Sequence, residues 1–313
     1  MPVPPHALVL AEGLGTRLRP LTLVRAKAAI PVAGEPVIRR ILRWLAANGV
    51  VEVVVNLHHL PATLTSVVGE GADLGVRARY SWEQPVVLGS AGGPRRALDV
   101  LGASTFLIVN GDTLTDVDLV SLANAHDRYG ALVTLALTWN REPSRYGGVV
   151  LDSEARVVGF VPRGPAAEGS FHFVGVQIGR AEAFESLPLD RPANSIGQAY
   201  DALIARQPGA IRGFFSDAAF WDIGTVADYI ATDRAFSITD GTPSRRSLRV
   251  DPTARITRSI LWDDIDVGAA ATLDACIVTD GVRVPAGSAH AHAILRTDAA
   301  GQLTIDPIDD SNG

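Results

Sequence analysis

Apolar residues along this chain come in short blocks cut by glycine, proline and polar turns. Ala7–Leu10 (ALVL) is the first, stopped by Gly13 and Gly15. It reads as a buried strand entering a glycine loop. From Pro36 to Asn48 the period changes. Val37, Ile38, Ile41, Leu42 and Leu45 recur at helical spacing, with Pro36 suited to the first turn and Gly49 to the stop. Val50–Leu57 (VVEVVVNL) is again strand-like. Strand, helix and strand in close succession make a βαβ unit and predict a parallel sheet. The alternation continues through a strand at Arg77–Trp82, a helix at Gly92–Leu101, a strand at Phe106–Val109, a helix at Leu119–Tyr129 and a strand at Ala131–Thr138. The expected fold class is α/β, with a Rossmann-like mixed, mostly parallel sheet. Functional groups of such sheets gather at the carboxyl ends of the strands. Gly13, Asn110 and Asp112 fall at such ends.

The tail follows another rule. Val250, Val267 and Val284 stand 17 residues apart, as do Ile260, Ile277 and Ile294, and Leu261, Val278 and Leu295; Ile256 and Leu273 share the step. A fixed period with recurring apolar positions is a repeat. The units are short and β-branched, and Pro252, Gly268, Pro285 and Gly287 supply turns. About three coils of a parallel β-helix are expected. The turn-rich stretch Gly241–Arg246 (GTPSRR) divides the chain into residues 1–243 and a repeat tail of residues 244–313.

Composition narrows the function. The net charge of −6 argues against a nucleic-acid or anionic-membrane footprint, so an anionic ligand must be met by a few local cations. One cysteine, Cys276, rules out an internal disulfide and fits a cytoplasmic location. The N-terminal MPVPPHALVLAEG has no basic region before its apolar run, so neither a signal peptide nor a membrane span is expected.

The candidate chemistry starts at Ala11–Lys27 (AEGLGTRLRPLTLVRAK). Of 28 basic residues, all but Lys27 are arginine. Arginine is a wide planar fork and lysine a compact point charge on a flexible stem, so a site needing the second resists replacement. A glycine loop lets backbone N–H groups approach a phosphate, although Gly13-x-Gly15 alone is equally the mark of a tight turn. It is neither a Walker loop nor a complete dinucleotide fingerprint. Arg17 and Lys27 beside it suit a triphosphate.

With Ile30–Ile38 (IPVAGEPVI), Leu88–Gly93 (LGSAGG), Asn110–Asp112 (NGD), Tyr146–Gly148 (YGG), Trp221–Thr225 (WDIGT) and Asp228-Tyr229 following in order, the chain resembles the sugar-1-phosphate nucleotidyltransferases. The likeness runs from about Ala7 to Ala235, and leans toward the mannose-1-phosphate guanylyltransferase-like branch. It implies a nucleotidyltransferase domain followed by a hexapeptide-type, left-handed β-helix. It also implies transfer of a nucleotidyl group from a nucleoside triphosphate, GTP favoured, to a sugar 1-phosphate. Pyrophosphate would be released and a GDP-mannose-like product formed, with Mg²⁺ as cofactor. Arg17 would neutralise the leaving pyrophosphate, Lys27 would hold the triphosphate, and Asp112 and Asp222 would bind the metal. Leu10, Ala11, Gly13, Gly15, Gln84, Gly89 and Ser90 would hold the nucleotide. Asn110, Gly111, Gly147, Arg163, Gly175 and Asn194 would hold the sugar phosphate.

Several residues depart from the family pattern. Glu12 replaces a small residue, and a carboxylate facing phosphates would repel them; the expectation is that its side chain points away. Glu35 replaces a frequent lysine, Pro162-Arg163 replaces Glu-Lys, and Asn194 stands where a glutamate is common. These motivate one alternative, a non-catalytic nucleotide-sugar-binding regulator. His290 and His292 in the last coil motivate another, a bifunctional nucleotidyltransferase/acyltransferase. His58-His59 reads as a loop contact, His126 as surface or core, and Cys276 as a packed thiol. His172 is a candidate for lining the sugar pocket. The tail reads as an oligomerisation element or a cover for the catalytic domain's edge, which leaves a homo-oligomer open.

Overall fold

The computed structural model describes residues 1–240 and 247–308. It divides into two compact units, Met1–Gly13 with Ile38–Trp221, and Leu14–Val37 with Asp222–Gly313. The division expected between residues 243 and 244 lies outside the described residues.

The first unit is built on a nine-stranded mixed sheet. Strands His6–Leu10, Glu52–Leu57, Arg77–Trp82 and Thr105–Asn110 run parallel. Their apolar residues are in register: Leu8 lies between Val54 and Ile108, and Val9 between Val55 and Val109. All are essentially inaccessible to solvent. Burying each such side chain contributes about 1.5–3 kcal/mol, and the continuous apolar runs are what a sheet covered on both faces requires. The ten-residue strand Phe171–Arg180 joins the two halves, antiparallel to Thr105–Asn110 and to Val133–Trp139. Its register shifts between Phe173 and Gln177.

Helix Val37–Ala47 agrees with the period read from the sequence, and Leu119–Tyr129 has the expected limits. Asp118 caps the second by accepting from the N–H groups of Val120 and Ser121 at 3.0 Å, and Gly130 ends it in the left-handed region. The third helix runs over Gly89–Leu101, starting earlier than Gly92. Its first two turns contain Gly92, Gly93 and Pro94, residues of low helix propensity. Tertiary contact overrides that propensity: the Ala91 and Gly92 N–H groups donate to the Ala193 carbonyl at 2.9 and 3.0 Å.

In the second unit the 17-residue step is realised rung by rung. Val250 pairs with Val267 and Val267 with Val284; Ile256 pairs with Leu273; Ile260 pairs with Ile277 and Ile277 with Ile294. Three parallel sheets result, with the apolar positions of the second coil buried inside. The left-handed corner also recurs every 17 residues, at Arg258, Ala275 and His292. Strand Leu303–Pro307 pairs antiparallel with Ala293–Thr297 and covers the edge of one of the three sheets, which would otherwise template further pairing.

Candidate active site

In the first unit, three neighbouring strands end side by side. The Gly111 N–H donates to the Leu10 carbonyl at 2.8 Å, and the Ala11 N–H donates to Asn56 Oδ1 at 2.6 Å. Leu10 is thus tied to the Asn110–Asp112 turn and Ala11 to the neighbouring strand. Gly13 is exposed, with open space where a side chain would begin. The Glu12 side chain turns inward, only 8% exposed. Burial, then the neighbouring Glu83, push its pKa up to about 7, against the opposing pull of backbone and Asn56 hydrogen bonds. The carboxylate is thus turned into the protein and away from bulk solvent.

Asn56 links the loop to a second buried acid, donating from Nδ2 to Glu83 Oε1 at 2.8 Å. Glu83 is fully buried, and burial raises its pKa while the Leu88 N–H, donating to Oε2 at 2.6 Å, works against the rise. Through Glu83 the glycine loop is tied to Leu88–Ser90. Reading by motif passed over Asn56 and Glu83, because neither lies in a glycine block. Gln84 follows, exposed.

Gly89 has φ +77°, and a Cβ there would meet Asn194 Oδ1 at 2.8 Å. The Ser195 N–H donates to Ser90 Oγ at 2.9 Å. Asn194 is therefore beside Gly89 and Ser90, in the group expected to hold the nucleotide. At the other end, Gly175 lies in the register shift with φ +80°, and a Cβ would strike Asn110 Nδ2 at 2.8 Å. A Cβ at Gly147 would come 3.0 Å from the Val161 carbonyl and 3.8 Å from the Arg163 N. Asn110 is thereby paired with Gly175, and Gly147 with the backbone of Arg163, whose side chain is exposed.

A cavity of about 340 Å³ opens beside the Tyr146 turn. Trp139, Tyr146, His172, Phe220 and Trp221 line it, with Glu142 and Asp217 among its polar groups. The His172 ring lies 4.3 Å from that of Tyr146 and 4.8 Å from that of Phe220, centroid to centroid. Burial, then Arg145, push its pKa down to about 4, so it is neutral at pH 7. Trp139 is stacked at 4.6 Å on Phe171 and remains half exposed.

The second unit holds Arg17 and Lys27. Gly15 adopts the left-handed conformation and precedes the 3₁₀ turn carrying Arg17. Thr22 Oγ1 donates to the Gly15 carbonyl at 2.9 Å. A Cβ at Gly15 would lie 3.4 Å from the Lys27 Cβ, so the lysine stem rises beside the loop glycine. Gly224 sits among Asp222, Asp228 and Arg17, whose polar atoms lie 3.1, 3.2 and 3.5 Å from where its Cβ would be. The weaker histidines have structural surroundings. His58 Nδ1 is 2.7 Å from the Glu83 carbonyl, and His126 Nδ1 is 2.8 Å from Thr134 Oγ1, with burial lowering the His126 pKa to about 4. Cys276 is buried, as its repeat position predicts. No described helix is long and apolar enough to cross a membrane.

A parallel sheet that ends in a glycine loop, with acid-bearing turns at the adjacent strand ends, defines a nucleotide-binding α/β protein as a class. The chain belongs to the nucleotidyl transferase family, whose pattern matches residues 6–237. It is 32% identical over 295 residues to a mannose-1-phosphate guanylyltransferase of Mycobacterium tuberculosis, covering 90% of this chain and 81% of that one. It is 31% identical over 244 residues to a UTP–glucose-1-phosphate uridylyltransferase of Synechocystis, covering 71% of this chain and 61% of the relative. HddC from Yersinia pseudotuberculosis has the same fold, with a TM-score of 0.64 at 22% identity over 74% of this chain and 99% of that one.

Proposed function

We propose that this protein is a sugar-1-phosphate nucleotidyltransferase. A phosphate oxygen of the sugar 1-phosphate attacks the α-phosphorus of a nucleoside triphosphate, the bond to the β-phosphate breaks, and pyrophosphate leaves. Such transfer needs positioning and charge neutralisation more than covalent chemistry. The observation that carries the reading is the placement of Lys27, the single lysine of the chain, against the left-handed Gly15. In this role Lys27 holds the triphosphate and Arg17 takes up charge on the departing pyrophosphate. Asp112 and Asp222 offer the hard carboxylate oxygens that Mg²⁺ prefers, the rest of its shell being phosphate and water. The ion would supply further neutralisation of phosphate charge.

The sugar site we propose includes the 340 Å³ cavity together with Asn110, Gly147 and Gly175. Aromatic faces such as Trp139 and Tyr146 suit the C–H face of a sugar ring, and Glu142 and Asp217 accept from hydroxyls. GTP with mannose 1-phosphate is the first pair to expect, given the guanylyltransferase relative and its broad coverage. UTP with glucose 1-phosphate is the second, from the uridylyltransferase relative.

The test is pyrophosphate release with Mg²⁺, a panel of nucleoside triphosphates and a panel of sugar 1-phosphates. One pair is expected to react, and Lys27→Arg to lower its rate about 100-fold. Nucleotide binding without release from any pair would instead establish the regulatory alternative.

A further inference from the structure

The segment that carries Lys27 is clamped to the tail by one buried arginine. Arg25 is 7% exposed. Its Nε and Nη2 donate to the two oxygens of Asp280, each at 2.6 Å, and Nη2 also donates to Asp263 at 2.7 Å. Its Nη1 donates to the Ala29 carbonyl at 3.3 Å, across the 3₁₀ turn Lys27–Ala29. The guanidinium lies 5.4 Å from the ring centroid of Trp262. That tryptophan donates from Nε1 to Tyr229 Oη at 2.9 Å, and Tyr229 donates to the Pro31 carbonyl at 2.8 Å. Lys27 is thus bracketed on both sides, at residues 25 and 29 and again at residue 31, by groups that end on the coils or on the helix before them.

The two carboxylates are not a chance pair. Asp263 and Asp280 are one 17-residue step apart, the same position of successive coils. Adjacent rungs are about 4.8 Å apart, so two such charges repel unless a cation lies between them. A guanidinium fork can satisfy both at once, whereas an ammonium cannot match the bidentate geometry.

We propose that Arg25 is a positioning residue. By joining the Lys27 turn to the Asp263–Asp280 ladder it makes the β-helix tail a determinant of nucleoside triphosphate affinity. This rests on the reading that Lys27 holds the triphosphate. It gives the tail a task within the monomer, distinct from oligomerisation or acyl transfer.

The experiment measures binding of GTP and UTP by calorimetry to the full-length chain. It compares wild type, Lys27→Ala, Arg25→Lys, Asp280→Asn, and the Asp280→Asn, Lys27→Ala double variant, with thermal midpoints recorded for each. Asp280→Asn should weaken triphosphate binding about tenfold, as a misplaced charge does. Arg25→Lys should fall between it and wild type. In the double variant the loss should be no larger than in Lys27→Ala alone, because the brace acts through that lysine. In the pyrophosphate assay, KM for the triphosphate should rise while KM for the sugar phosphate stays within about twofold. A merely structural role would lower the thermal midpoint and move both KM values together, which overturns the proposal. So would additive losses, or unchanged affinity in Asp280→Asn. If Lys27→Ala binds as wild type does, the role of Lys27 itself fails, and the brace with it.

Discussion

At the scale of single residues, the informative positions are those where a side chain has little freedom. Gly15 is one. Its φ of +59° and the 2.6 Å approach a Cβ would make to Thr22 Cγ2 both forbid a side chain. Gly15→Ala is expected to cost about 1–3 kcal/mol in denaturant unfolding and to weaken triphosphate binding. Glu12 is another. Its folded pKa near 7 lies above the ordinary value of 4.5. Between those two pH values the folded chain keeps a proton that the unfolded chain has released. Stability from this group is therefore full below pH 4.5 and is lost as the pH rises through 7. Glu12→Gln should flatten that slope and stabilise the protein at pH 8 by on the order of 2 kcal/mol, read from unfolding midpoints across the pH range. The sequence raised Glu12 as an anomaly. Its partners Asn56 and Glu83 were invisible there, because they are 44 and 71 positions further along the chain and no local pattern marks them.

At the scale of elements, strands and helices with a clean period were legible. The strand at Arg77–Trp82 and the helix at Leu119–Tyr129 match residue for residue. The 17-residue step gave the rungs of the tail, because in stacked parallel coils the repeat length is the register. The helix at Gly89–Leu101 begins three residues before the Gly92 start read from the sequence, and it holds Gly92 and Gly93 in its interior. Gly93 shows why they are there: a Cβ would come within 2.7 Å of Glu83 Oε1 and 2.8 Å of Asn56 Nδ2. Gly93→Ala should cost about 1–3 kcal/mol, unlike a typical glycine-to-alanine change in a helix, which stabilises. Calorimetric unfolding would check it. The closing strand Leu303–Pro307 was not foreseen, since it pairs antiparallel and leaves the 17-residue step.

At the scale of the whole chain, the compact units do not follow one another along the sequence. Leu14–Val37, with Arg17 and Lys27, is counted with Asp222–Gly313. A chain cut after residue 243 would lose Trp262, Asp263 and Asp280, the partners of Tyr229 and Arg25. Its thermal midpoint should fall by roughly 5–10 °C relative to the full chain, or the fragment should fail to remain soluble. What the sequence by itself determined is what periodicity and composition encode: an α/β sheet, a coil of fixed step, a glycine loop, and one lysine that an arginine-rich chain retained. Family membership was legible too, because its motifs are short and local. The tertiary structure alone decided which distant groups meet: Glu12 with Glu83, Asn194 with Gly89, and Arg25 with two aspartates on successive coils. These contacts join residues far apart in the chain, and a sequence records each partner's chemistry without recording the distance between them.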